Sequence, residues 1–340
     1  MAGIKTTKMK NQFKDTLTKI ATDAQLQTSH LFIFSKMDKA ALGVFQAEWP
    51  TIATERRREV VQELVEIAEM NFEVNFSPVF LLGMADVDAQ VRTQAIAGLW
   101  EQEEPALIGP FIHLLRTDEA AMVRAAAATA LGQFVYLYEL EELEEEYIEP
   151  VKQALLETIY LPGEDVDVRR RAVESVAFFS GPEIIQIIES AYYDENDKMQ
   201  VSAIFAMGRN ADGQWRPRVL AELDNHNSEI RFEAARACGE LEVAEAVPKL
   251  VALIAEDIDL QVQEVAIWAL GRIGGPAARE ALEHYAESET EALAMAAEEA
   301  LDEINIFDAA LDLFDFDEDD DEEDDDYDEL DDYAGKYYLN

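Results

Sequence analysis

One short pattern is written three times between residues 194 and 271, and it limits the possible folds more than any other feature. Met199, Ala203, Ala206, Met207 and Gly208 recur 31 positions later as Ile230, Ala234, Ala237, Cys238 and Gly239. They recur again 32 positions on as Val262, Ala266, Ala269, Leu270 and Gly271. An aliphatic start, Ala four and seven later, a larger apolar residue eight later and Gly nine later mark one face of a 3.6-residue helix. The spacing predicts that the glycine ends that helix.

The same register extends over most of the chain. Val91, Val123, Val168 and Leu293 open further copies, each with Ala four positions on, and the start-to-start spacings are 32, 45, 31, 31, 32 and 31. The long interval holds a very acidic insert, residues 139–149. Upstream, residues 38–75 read as a divergent first repeat, with Arg57 in register and Val61 and Val65 at core positions. A second apolar helix precedes each unit, often with a proline in its first turn, where the missing N–H costs nothing (Pro78, Pro110, Pro217, Pro248). Asp86, Asp118, Asp194, Asn225 and Asp257 stand five residues before their unit's start, as turn formers or near the cap of the second helix.

Two helices in a period of 31–32 residues specify an all-α chain: an α-α superhelix, a right-handed α-solenoid of about eight helical hairpins. No hairpin can bury its apolar face alone, so neighbours must stack. The expected divisions are a basic and polar N-terminal arm or loosely docked helix (1–30), the repeats (31–307) and an acidic, disordered tail (308–340). Residues 317–332 place 14 acids in 16 positions, which repel one another too strongly to pack.

Charge narrows the partner class. The net charge is −45, from 72 Asp and Glu against 27 Lys and Arg, and residues 308–340 alone hold 17 acids and one Lys. Such a surface repels phosphate backbones, so nucleic acid is excluded as a general partner and a protein with a basic region is expected. No apolar run reaches the roughly 18 residues of a membrane span, and the N-terminal lysines are not followed by a leader-like stretch. A cytoplasmic location is the expectation, with which the single Cys238, at an apolar repeat position, agrees.

The unit Asp-Glu-Ala-Ala-Met-Val-Arg-Ala-Ala-Ala-Ala-Thr-Ala-Leu-Gly, residues 118–132, resembles HEAT repeats of the short bacterial type named after phycobilisome (PBS) bilin lyases. The resemblance covers about residues 76–305, and 38–75 more weakly. It implies an Asp/Arg ladder along the second helices, kept at Arg92, Arg124, Arg169 and Arg231 with Asp86, Asp118, Asp194 and Asp257, and broken at Gln200, Gln263 and Ala294. It also implies that second helices line a concave inner face. Deoxyhypusine hydroxylase resembles this fold and carries His-Glu pairs that hold two irons. Here His30, His113, His226 and His284 are followed by Leu, Leu, Asn and Tyr.

No nucleotide-binding glycine loop, zinc-protease helix or serine nucleophile motif is present, and the acidic run Asp317–Asp328 lacks the glycine a calcium loop needs. No catalytic, cofactor or metal residues are assigned, and the chain is read as non-enzymatic. Position six of the second helix, about 240° around from the start, points away from the core. It holds Ala97, Thr129, Glu174, Phe205, Arg236, Trp268 and Glu299. Phe205, Arg236 and Trp268, with Phe232 at position two, are the candidate partner contacts. The bland alternative is that Phe205 and Trp268 wedge between neighbouring helices. Trp100, at position nine, is expected to pack on the next repeat. The functional reading is a protein-binding scaffold whose acidic tail steers a basic partner. A bilin-pathway accessory protein and an acidic chaperone for basic proteins are the alternatives.

Overall fold

The computed structural model describes residues 2–318, with side chains from residue 12 to residue 306 except Lys36. Its described residues form eighteen α-helices, five short 3-10 helices and no strand. After α1 (Ala2–Thr22) and the single turn α2 (Thr28–Leu31), sixteen helices follow as eight successive hairpins. The first four are α3 (Lys39–Glu48) with α4 (Thr54–Met70), α5 (Ser77–Gly83) with α6 (Ala89–Ala97), α7 (Ile108–Thr117) with α8 (Ala121–Glu139), and α9 (Glu145–Tyr160) with α10 (Val166–Val176). Then come α11 (Pro182–Tyr192) with α12 (Asp197–Asn210), α13 (Arg216–Glu222) with α14 (Ser228–Glu240), α15 (Val247–Glu256) with α16 (Leu260–Ile273), and α17 (Gly275–Ala286) with α18 (Glu291–Glu318).

The chain divides into two compact units, residues 1–243 and 244–340. In the first, the second helices pack in sequence order, α4 on α6, α6 on α8, α8 on α10, α10 on α12 and α12 on α14. In the second, α16 packs on α18 and α15 on α16. The start residues Val91, Val123, Val168, Met199, Ile230 and Val262 are buried, as is the Ala four positions after each. Burying such side chains contributes roughly 1.5–3 kcal/mol apiece for the larger ones.

Position nine departs from expectation. Gly132, Gly208 and Gly271 lie inside their helices, which run on past them. Their role is close approach. A Cβ on Gly132 would lie 2.6 Å from Ser175 Oγ, one on Gly208 3.0 Å from the Ala237 Cα, and one on Gly271 2.9 Å from the Ala300 Cβ. The missing side chain lets consecutive second helices touch, and the helix continues because its i→i−4 bonds are unaffected.

The N-terminal segment is also more ordered than a polar arm. Phe13, Leu17 and Ile20 of α1 are buried, and Phe13 meets Phe34 edge-on at 6.2 Å. Three apolar residues at helical spacing suffice because α1 lies against α3. The acidic insert extends α8 to Glu139 and opens α9, with a left-handed turn at Glu141 between them. Residues 308–318 continue α18, while 319–340, the rest of the expected tail, lie outside the described residues.

An arginine ladder ties the early repeats together. Arg92 donates from Nη1 to the Asp86 carbonyl (2.8 Å) and from Nε and Nη2 to the Asp118 carboxylate of the next connection (2.8 and 2.7 Å). Arg57 grips the Asp86 carboxylate at 2.9 and 3.0 Å, and Trp49 Nε1 donates to the same group at 2.8 Å. Arg124 donates to the Asp118 carbonyl and pairs with Glu164. Gly163 stands there in place of the Asp, and the longer Glu one residue on supplies the charge.

Each connection's Asx side chain also accepts the N–H two residues on, as Asp86, Asp118, Asp194, Asn225 and Asp257 all do. The helix caps proper are Asp88, Asp165, Asn196, Asn227 and Asp259. The glutamines do not simply break the pattern. Gln200 and Gln263 keep the carbonyl bond, to Asp194 (2.7 Å) and Asp257 (2.6 Å), as Arg231 does to Asn225 (2.8 Å).

Arg169 is the departure. Its side chain makes no hydrogen bond or ion pair among the described residues and instead lines, with Asp194 and Met199, a cavity of about 330 Å³. The connection before it carries Gly163, at φ +82°, where the connections before Arg92 and Arg124 carry Asp86 and Asp118.

The Arg92–Asp118 side chains are only 9% and 6% exposed. Burial pushes Asp118 up, but the Arg92 guanidinium and the Ala120 N–H hold it below the ordinary 3.8. Its stabilising contribution is therefore present above that range and lost as the pH falls through it. Asp118→Ala should cost about 3–5 kcal/mol in urea unfolding near neutrality by stranding a buried guanidinium, with the deficit shrinking below pH 3.8. Arg116→Ala, which removes an exposed pair with Glu157, should cost no more than about 1 kcal/mol.

Candidate functional site

The stripe at position six changes character along the chain because each side chain meets different neighbours on the next second helix. Ala97 is exposed and Thr129 half-buried, whereas Glu174 is buried. Phe205 and Arg236 are half-buried, and in the second unit Trp268 is half-buried and Glu299 exposed. The outward reading from helical phase thus fails for Glu174. Arg171 from its own helix (2.6 Å) and Ser202 of α12 close over its carboxylate, with Arg170 at 3.4 Å.

Phe205 and Arg236 are brought together. The Arg236 guanidinium lies 4.5 Å from the Phe205 ring centroid, and Arg209 lies 5.4 Å from it. A cation over an aromatic face gains about 0.5–2 kcal/mol, more as water is excluded. Arg209 also faces Phe178 at 5.9 Å. Glu240 accepts from Arg236 Nε at 3.0 Å and pairs with Arg209 Nη2 at 3.4 Å, joining α12 to α14. Phe232 is half-buried on α14, beside this group in sequence.

Glu233 completes the cluster and escaped the sequence reading, where Glu233, Arg236 and Glu240 look like a solvated i, i+3, i+4 face. Burial raises its carboxyl from 4.5 to about 7. Arg236 and Arg209 offset that in part, and Glu174 and Glu240 add to it. Its Oε2 lies 3.6 Å from Arg236 Nη1 and has no hydrogen-bond partner, and Arg209 Nε is likewise buried without one. The site holds fixed positive charge, an aromatic face and a carboxyl that titrates near neutrality.

Among the described residues no group of His, Cys, Asp or Glu is arranged to hold a metal ion. His113, His226 and His284 are exposed and Cys238 is buried. No helix of the described residues is long and apolar enough to cross a membrane.

Hairpins whose second helices stack in order, tied by arginines across the connections, define an α-solenoid of short repeats. The family model for HEAT repeats matches residues 77–177, 182–268 and 217–302, more than half of the chain, and the chain belongs to the HEAT-repeat family. No curated protein sequence matches it. Solved structures match it at low identity. Human deoxyhypusine hydroxylase is 17% identical, with 89% of this chain and 98% of that one covered and a TM-score of 0.34. YibA of E. coli is 15% identical, with 87% and 95% covered and a TM-score of 0.41. Kap95p, in a complex with RanGDP, is 16% identical with a TM-score of 0.44, and the match covers 85% of this chain and 45% of Kap95p.

For Glu233 the sign follows from a raised folded-state carboxyl. The folded protein keeps the proton that the unfolded chain loses, so stability falls as the pH rises from 4.5 to about 7. That gap corresponds to roughly 3 kcal/mol. Glu233→Gln should accordingly stabilise the protein at pH 8 by up to about that amount, with the gain fading towards pH 4.5. Urea unfolding at both pH values checks this. A gain independent of pH would assign the effect to amide packing.

Proposed function

We propose that this HEAT-repeat chain, of the short PBS-lyase type, is a non-enzymatic scaffold that binds another protein along the outward stripe of its second helices. In this reading the stripe is the concave face. Phe205, Phe232 and Arg236 make contacts from the first unit and Trp268 from the second. The carrying observation is the half-buried stack of Arg236 on Phe205. An arginine held over an aromatic ring, with part of both still open, combines two residue types found in protein-binding hot spots.

The net charge of −45 supports a partner with a basic region, and the acidic tail, residues 308–340, would raise its encounter rate by steering. Hot-spot contacts hold the partner once it has arrived, so the two contributions should separate by salt and by variant.

The test is affinity purification of the full chain and of a chain lacking residues 308–340, at low and high salt, with the captured proteins identified by mass spectrometry. The partner found should bind the Trp268→Ala and Phe205→Ala chains at least about thirtyfold more weakly, corresponding to about 2 kcal/mol or more, with melting curves close to wild type. Deleting the tail should slow capture at low salt and matter little at high salt. A large fall in melting temperature for Trp268→Ala would place that residue in the packing instead, and capture unaffected by both salt and deletion would remove the tail from the mechanism.

A further inference from the structure

The first unit carries a groove of about 800 Å³ where the stripe is made of small residues. Its floor is Ala97 of α6 with Ala125, Ala126 and Thr129 of α8. Short side chains on these two adjacent second helices leave a trough that the next second helix, α10, lines only with Arg171. Its largest exposed lining residues are apolar. Phe72 is 84% exposed, Trp100 50% and Met122 47%. Trp100, expected to pack on the next repeat, is instead left half exposed in this groove. Phe72 and Trp100 stand on the turns that follow α4 and α6, and Met122 on the first turn of α8. An exposed apolar patch of this kind marks an interaction surface more often than a solvated face.

The charge around it identifies what fits. Glu69 and Glu101 line the groove, and Glu73, Glu103 and Glu104 are exposed on the segments that border it. None of the five has a salt-bridge partner among the described residues. The single cation lining the groove, Arg171, is already bonded to Glu174 at 2.6 Å. The acids on and beside the groove are therefore uncompensated, while its largest exposed side chains are apolar.

We infer that this groove receives a short segment of a partner protein that inserts one or two bulky apolar side chains and flanks them with Lys or Arg. The apolar anchor covers Trp100 and Met122, and the flanking cations face Glu69, Glu73 and Glu101. Fully burying one such anchor supplies most of the affinity, and the rim supplies selection against acidic segments, whose approach costs repulsion. The surface uses none of Phe205, Phe232, Arg236 or Trp268, so its fate is separable from theirs.

The probe is a random peptide library displayed on phage and selected on the immobilised full chain. Enriched peptides are then synthesised with a fluorophore and titrated by anisotropy. The inference requires that enriched peptides share a bulky apolar residue next to two or more Lys or Arg. Their binding should weaken at least about tenfold for Trp100→Ala and for Ala97→Arg, and change little for Phe205→Ala. Both groove positions are exposed, so circular dichroism and melting should match wild type, and the two substitutions check each other. Failure to enrich any peptide, enrichment of acidic or purely polar sequences, or salt-sensitive binding indifferent to both substitutions would overturn it. The last result would show an acidic surface that attracts polycations without a groove.

Discussion

A guanidinium that reaches in two directions is the constraint on which the stacking depends. In Arg92 one nitrogen holds the carbonyl of its own connection, and the opposite edge takes the carboxylate of the next connection in a two-bond fork. Only arginine is both planar and long enough to do this. The geometry links the turn inside one hairpin to the position of the following hairpin, so local and inter-repeat structure cannot vary independently. Arg57, Arg92 and Arg124 form three consecutive rungs of this kind. Where glutamine replaces arginine, at Gln200 and Gln263, the connection's own turn is still held, but the charged reach to the next connection is given up.

Close contact between second helices is the complementary condition. Small residues at positions four, seven and nine bring the backbones together, and the side chains at position six are then pressed against whatever the neighbouring helix carries. Three outcomes follow along the first unit. Ala97 and Thr129 leave a trough, Glu174 is roofed over by Ser202 and Arg171, and Phe205 is covered by Arg236. One repeated face thus produces an apolar groove, a buried carboxylate and a cation-covered aromatic by exchange of single residues.

Much of the architecture was legible because it is periodic. The start residues, the alanines, Arg57 in register and the turn-forming Asx residues could be placed by counting, although in the first repeat Leu64 rather than Val65 takes the core position beside Val61. Counting failed where a residue's meaning lies across the stack. Gly208 and Gly271 look like helix stops in one dimension, and are points of helix contact in three. Glu233 and Glu174 look like solvated positions on an amphipathic helix until α10, α12 and α14 are packed together. The three apolar residues of α1 give a weak pattern, which becomes significant only once Phe34 is there to receive Phe13.

The amino-acid order by itself determined the all-helical class, the hairpin period and the acidic character, because each rests on spacing within some thirty residues or on a sum over the chain. The tertiary structure alone decided which carboxyls are buried, that Arg169 stands without a ladder partner among the described residues, and that Phe72, Trp100 and Met122 share one groove. Burial and charge pairing are properties of two surfaces in contact. In a stacked repeat protein the second surface comes from the neighbouring hairpin, at a distance along the chain that local periodicity does not sense.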